Sequence, residues 1–100
     1  RGGLKIAPDD VVKAIETHPA ILEAVVVGVS DPRLGAVPAA GYRVKSGMAV
    51  TEDELRAFLR DKLSAYQIPL YFREVEDFVR TPSMKPSQPE LKKLFEAQPA

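Results

Sequence analysis

The stretch Ile21-Leu22-Glu23-Ala24-Val25-Val26-Val27-Gly28-Val29 decides how the rest of this chain must be arranged. It is rich in β-branched residues and too uniformly apolar to leave one side in water, so it predicts a strand buried on both faces. Such a strand belongs to a small sheet covered by helices. On its N-terminal side, Pro8-Asp9-Asp10-Val11-Val12-Lys13-Ala14-Ile15-Glu16-Thr17-His18 predicts a helix. Proline suits the first turn, where its missing N–H costs nothing, and the two aspartates meet the positive end of the helix dipole. Val11, Val12 and Ile15 make a short apolar stripe, and His18-Pro19 ends it, because the residue before proline is pushed out of the helical region.

On the C-terminal side, Ser30-Asp31-Pro32-Arg33-Leu34-Gly35 supplies turn chemistry. A second strand is expected over 37–45, with Tyr42 and Val44 alternating against Arg43 and Lys45 as on a half-solvated face. Pro38 would put the beginning of that strand at a sheet edge. The six-residue connection suggests an antiparallel pair. Thr51-Glu52-Asp53-Glu54 has the spacing of a capping box. Leu55, Phe58, Leu59 and Leu63 then share one helix face, with Arg60 and Lys62 near its C-terminal end. A short third strand is expected over 71–75. Ser87-Gln88-Pro89-Glu90 repeats the capping-box pattern before a final helix carrying Leu91, Leu94 and Phe95. Between these, Arg80-Thr81-Pro82-Ser83-Met84-Lys85-Pro86-Ser87 is polar and proline-rich and should be an exposed loop. The order helix, strand, strand, helix, strand, helix describes an α+β domain: about three strands, antiparallel or mixed, under helices.

Composition narrows the function. One hundred residues suffice for a single domain, residues 1–100. A hydrophobic content of 45% with 28% charged residues argues for a globular chain over a disordered one. Fourteen basic and fourteen acidic side chains cancel, leaving no net field to attract nucleic acid or an anionic membrane. No apolar run is long enough for a transmembrane segment and no signal peptide opens the chain, so a cytoplasmic location is expected. The sequence opens on Arg1-Gly2-Gly3 without an initiator methionine, inside what reads as a motif, and is expected to be a piece of something longer.

Most catalytic constellations are excluded. There is no cysteine and one histidine, His18, which rules out a Cys-based triad and leaves no set of metal ligands, so no metal site is expected. No Gly-x-Ser-x-Gly elbow presents a serine. Gly2-Gly3-Leu4-Lys5 matches neither the Walker pattern nor the dinucleotide-fold glycine spacing. The carboxylates are scattered, with no pair whose pKa values have a reason to split. His18 reads as a helix-terminal residue meeting the dipole. Tyr42, Tyr66 and Phe72 read as core or interdomain packing.

Five segments, in order and in register, carry a resemblance. Gly2-Gly3-Leu4-Lys5-Ile6-Ala7-Pro8 with Asp10 resembles the Gly-Gly-x-x-Ile-x-Pro-x-Glu motif that opens the C-terminal domain of adenylate-forming (AMP-binding) enzymes. His18-Pro19-Ala20-Ile21 followed by Glu23-Ala24-Val25-Val26-Val27-Gly28-Val29 resembles that family's strand entry. Asp31-Pro32-Arg33-Leu34-Gly35, the segment 66–69, and Arg80-Thr81-Pro82-Ser83-Met84-Lys85 resemble its "DPRWGE", "YKxP" and "RTPSGK" segments. The match runs over residues 2–95 and is most like acyl-CoA synthetases.

The resemblance implies a lid: a small domain that closes over a large N-terminal AMP-binding domain of the same chain, where ATP, arriving with Mg2+, and a small-molecule carboxylic acid form an acyl-adenylate. The lid then rotates, and the acyl group passes to CoA. Lys85 falls on the lysine that lies near the reacting carboxylate and α-phosphate, in a catalytic loop over 80–89. A hydrated cation on a flexible stem suits the orientation of two mutually repelling anions. Gly2, Gly3 and Lys5, in the 1–7 motif after the interdomain hinge, fall on positions that line the CoA pantetheine and nucleotide path. Four departures stand out, one of them Pro86-Ser87-Gln88-Pro89 in place of the family's apolar-basic run after the lysine, where Pro86 stiffens the backbone. Met84 replaces the family's glycine and should bar left-handed backbone angles. Ala36 and Gln67 replace a glutamate and a lysine. Lids of amino-acid-adenylating and luciferase-like enzymes share these motifs. A degenerate or stand-alone lid that binds a partner protein without catalysis is the other reading.

Overall fold

The run at 21–29 lies at the heart of the first strand of an open mixed sheet. A computed structural model describes residues 8–33 and 35–97. The elements are α1 (Pro8–Glu16), β1 (Ile21–Asp31), β2 (Gly35–Val44), α2 (Glu52–Leu59), a 3-10 turn (Ala65–Gln67), β3 (Tyr71–Glu74) and α3 (Gln88–Ala97). The sheet order is β1-β2-β3, with β1 antiparallel and β3 parallel to the central β2. The α+β expectation therefore holds, with a mixed sheet.

Each face of the sheet carries its own core. Ala24 and Val26 of β1, with Ala40 and Tyr42 of β2, pack against Val11 and Ile15 of α1 and Leu55 and Leu59 of α2. Val25, Val27 and Val29 point the other way and, with Val37 and Ala39, meet Phe78 and Leu91 of α3. That division is the period-two alternation of a strand applied to residues that are apolar at both parities.

The α2 start follows the sequence closely. Thr51 Oγ1 accepts from the Glu54 N–H at 3.1 Å while Glu54 Oε1 accepts from the Thr51 N–H at 2.8 Å. Val50 and Leu55 are both buried in the same core and bracket this cap as a hydrophobic staple. α2 stops at Leu59, before Leu63, which still packs on that core. The second expected box is half built. Ser87 Oγ accepts from the Glu90 N–H at 3.4 Å, but the Ser87 N–H is taken by the Val79 carbonyl at 2.7 Å, so Glu90 turns to Lys93 instead.

Pro38 corrects the sequence reading. It lies inside β2, the central strand, opposite Gly28, and not at an edge. Its carbonyl accepts from the Leu70 N–H at 2.9 Å, on the β3 side, just before β3 begins at Tyr71. The N–H that proline lacks would point to the same side, beyond the start of β3, so no ladder bond is lost. Tyr42 is buried, at 4% exposure, on the α2 side of the sheet, in keeping with its reading as a packing residue. Leu94 of α3 is exposed. The β1–β2 connection is shorter than the expected six residues, since Asp31 already pairs with Gly35. There Asp31 Oδ1 accepts from the Arg33 N–H at 2.9 Å, and Gly35 takes φ +80° to re-enter the sheet. Among the described residues no helix is long and apolar enough to cross a membrane.

Candidate functional site

The segment expected to be an exposed loop is exposed over 82–85 and is folded as a tight hairpin. Arg80 and Pro86 form an antiparallel bridge, the Thr81 N–H donates to the Lys85 carbonyl at 2.8 Å, and the Met84 N–H donates to the Thr81 carbonyl at 2.8 Å. Pro82 presets the backbone early in the turn, and Met84 closes it in the left-handed region, with φ 67°. This overturns the expectation that a side chain here would bar those angles: methionine adopts them, at a cost of about 1–2 kcal/mol relative to glycine. Lys85 follows directly. Its side chain is exposed and has no hydrogen-bond or ion-pair partner among the described residues.

An ionic cluster moors the hairpin to the sheet. Arg80 donates from Nη2 to Glu23 Oε1 at 2.8 Å and to Asp77 Oδ1 at 2.8 Å. From Nη1 it donates to Glu23 Oε2 at 3.3 Å and to the Met84 carbonyl at 3.3 Å. Arg43, opposite Glu23 in the β1–β2 register, donates to Glu23 Oε1 at 3.0 Å and, from Nε, to the Glu76 carbonyl at 3.0 Å. A β-bulge makes this possible. The register shifts between Ile21 and Glu23, so Ile21 and Ala24 both face the α1 core while Glu23 turns to the opposite face. Without the extra residue, Glu23 would share the parity of Ile21 and aim a carboxylate into that core.

The hydrogen bond from Arg80, and secondarily the one from Arg43, holds the Glu23 carboxyl below its ordinary value against the opposing effect of burial. Arg80 depresses Asp77 in the same way, and the two carboxylates push the guanidinium further up. All of these groups stay charged at neutral pH.

Other residues singled out from sequence fall elsewhere. Gly2, Gly3 and Lys5 lie outside the described residues. His18 sits just past α1, its Nδ1 accepts from the Ala20 N–H at 3.0 Å, and its ring packs edge-on to Phe58. Gln67, in place of the family's lysine, accepts at Oε1 from the Ser64 N–H at 3.0 Å and so closes its own 3-10 turn. Tyr66 is exposed, and Phe72 lies under the Arg56 guanidinium, 5.1 Å from its ring centroid. A groove of about 640 Å³ between the β1–β2 turn, β3 and α3 is lined by Asp31, Tyr71, Arg73 and Phe95. It lies at the end of β1 away from Glu23, and Lys85 does not line it.

Glu23, Arg43, Asp77 and Arg80 were not singled out as a group from the sequence. One signal was available: Glu23 is the one charge within an apolar run predicted to be buried on both faces, and such a charge needs a partner. Which partner it takes is a long-range matter.

Comparison with known proteins adds to this geometry. Residues 11–85 match the family model described as the AMP-binding enzyme C-terminal domain. The chain is 38% identical over 98 residues to the mitochondrial medium-chain acyl-CoA ligase ACSF2 of Danio rerio, covering 98% of this chain and 16% of that protein. It is 43% identical over 95 residues to the 2-succinylbenzoate–CoA ligase of Bacillus cereus, covering 95% of this chain and 19% of that one. Among solved structures, an acyl-CoA synthetase of Brucella canis superposes with a TM-score of 0.84 at 34% identity, over 96% of this chain and 19% of that one. The chain thus spans less than a fifth of the length of each of these relatives.

Proposed function

Because this chain belongs to the AMP-binding enzyme C-terminal domain family, we propose that it is the mobile lid of an acyl-CoA synthetase and that Lys85 is its catalytic contribution to acyl-adenylate formation. The observation that carries the reading is the presentation of Lys85. An exposed ammonium without a partner among the described residues stands on a hairpin tied to the sheet, at the position of the family's lysine. Left-handed Met84 keeps the turn geometry a glycine would give, which weakens the case for a degenerate lid.

In the first half-reaction a carboxylate attacks the α-phosphate of ATP and pyrophosphate leaves. Lys85 would bridge the attacking carboxylate and the phosphate, reducing their repulsion and stabilising charge that builds during transfer. Mg2+ would come with ATP. In the second half-reaction the lid turns, Lys85 withdraws, and CoA thiol attacks the acyl carbon with loss of AMP. Relatives named as medium-chain acyl and 2-succinylbenzoate ligases point to a carboxylic acid substrate. Its pocket would lie in the large domain.

The test is Lys85→Ala in the complete synthetase. Pyrophosphate exchange driven by the acid should fall about 10²–10³-fold, the usual cost of removing one charge-stabilising donor. Thioester formation from supplied acyl-adenylate should persist. Exchange at the wild-type rate would refute the assignment.

A further inference from the structure

We infer that Arg80 is a positioning residue for Lys85, acting as a clamp that transfers the rigidity of β1 to the lysine. The inference rests on the lid reading above and goes a step past it. Both peptide groups flanking the Lys85 Cα are pinned. The Met84 carbonyl accepts from Arg80 Nη1 at 3.3 Å, and the Lys85 carbonyl accepts from the Thr81 N–H at 2.8 Å. Pro86 further confines Lys85 to extended angles. With both peptide planes fixed, the direction in which Lys85 leaves the backbone is fixed too.

The second of these pins is local to the hairpin, but the first is not. The guanidinium that holds Met84 is itself seated on both oxygens of Glu23, 57 residues away in β1, and on Asp77. Glu23 is in turn held by Arg43 of β2. One planar group therefore joins the strained left-handed residue next to the lysine to the two long strands of the sheet. The bulge after Ile21 is what turns Glu23 to this side. Four acceptors spread around one plane suit the five fixed donors of arginine. Lysine, with three donors on a point charge, can serve some of these acceptors but not all at this geometry.

The experiment uses the complete synthetase with Arg80→Gln, Arg80→Lys, Glu23→Gln, Lys85→Ala and the double variant Arg80→Gln/Lys85→Ala. Acid-driven pyrophosphate exchange, thioester formation from supplied acyl-adenylate, and amide hydrogen exchange of the peptide spanning 78–88 are measured on each. Arg80→Gln should lower kcat for exchange about 10–10²-fold, the scale of a misplacement of about 1 Å, with KM for ATP and acid held. Arg80→Lys should recover part of that loss, and Glu23→Gln should reproduce it more weakly. Hairpin amides should exchange faster in both Arg80→Gln and Glu23→Gln. The thioester step, which needs a folded lid but not Lys85, should stay within about 2-fold of wild type. The double variant should be no slower than Lys85→Ala alone, since a clamp has nothing left to position.

Equal slowing by Arg80→Gln with and without Lys85 would overturn the clamp, as would a fall in kcat with unaltered hairpin exchange, which would mean that Arg80 touches the reactants. A normal rate in Arg80→Gln, with Lys85→Ala slow, would sink the role of Arg80 alone. A normal rate in Lys85→Ala would instead sink the lid-lysine reading on which this role depends.

Discussion

Gly41→Ala should loosen α3 from the sheet, and the coordinates give the size of the effect. Gly41 lies in β2 between Val25 and Arg73. A Cβ placed on it would stand 2.7 and 3.1 Å from the two terminal methyls of Leu91 and 3.1 Å from Cε1 of Phe78. Ordinary carbon contacts lie near 3.5–4.0 Å, so Leu91 would have to retreat by roughly 1 Å. Leu91 is 2% exposed and is the fully buried anchor of α3, with Phe95 only partly buried beside it. Forcing one methyl into such a contact costs about 1–3 kcal/mol. Replacing glycine inside a strand returns about 0.5–1 kcal/mol of chain entropy. A net loss of about 1–2 kcal/mol remains, a fall in Tm of roughly 5–15 °C for a domain of this size. Leu91→Ala alone should cost about 2–5 kcal/mol, through lost burial and the cavity left behind. Combined, the two changes compensate, because the new methyl fills part of that cavity. The double variant should be more stable than the sum of the singles by about 1–2 kcal/mol. Urea unfolding of the four proteins, followed by circular dichroism, measures this. Additivity within about 0.5 kcal/mol would show that Gly41 and Leu91 do not compete for the same space, and the packing argument would fail.

Met84→Gly should stabilise the chain by up to about 1 kcal/mol in the same urea assay, since it relieves the left-handed methionine; a loss of stability would show that the exposed methionine side chain is held by contacts absent from this structure. The ionic cluster should also leave a mark on acid stability. Glu23 is depressed below its ordinary value of 4.5, so its pairing contributes stability above that pH, and the contribution is lost as pH falls through the lower, folded value. Glu23→Gln should accordingly melt below wild type at neutral pH and converge on it in acid, in thermal melts run from about pH 7 to about pH 3. A gap that stays constant across that range would mean the carboxylate charge contributes nothing.

What could be read from the sequence was what is decided nearby. The Thr51–Glu54 cap depends on three-residue spacing, and the doubly buried β1 on a run that is apolar at both parities apart from Glu23, so both were visible. Pro38 was misread because its tolerance depends on where β3 begins, more than thirty residues later. The parallel pairing of β3 is equally non-local. Motif resemblance pointed to Lys85, but the state of its hairpin was not legible. An isolated glance at Met84 argues against a left-handed angle; the bonds from Arg80 to its carbonyl and from Ser87 to Val79 hold it there anyway. Glu23 announced a need for a partner, and only the folded register names Arg43 and Arg80.

The two-sided sheet has a mechanical meaning. α1 is seated on one face, while the chain entering and leaving the lysine hairpin is seated on the other through Phe78 and Leu91. β1 therefore stands between them: α1 packs on one of its faces, while Glu23 and Val25 on the other meet Arg80, Phe78 and Leu91. The β1–β2 ladder ties that strand to its neighbour over most of its length, and Arg80 fastens the hairpin to it through Glu23. A change that loosens β1 would therefore slacken the seat of α1 and the mooring of the hairpin together.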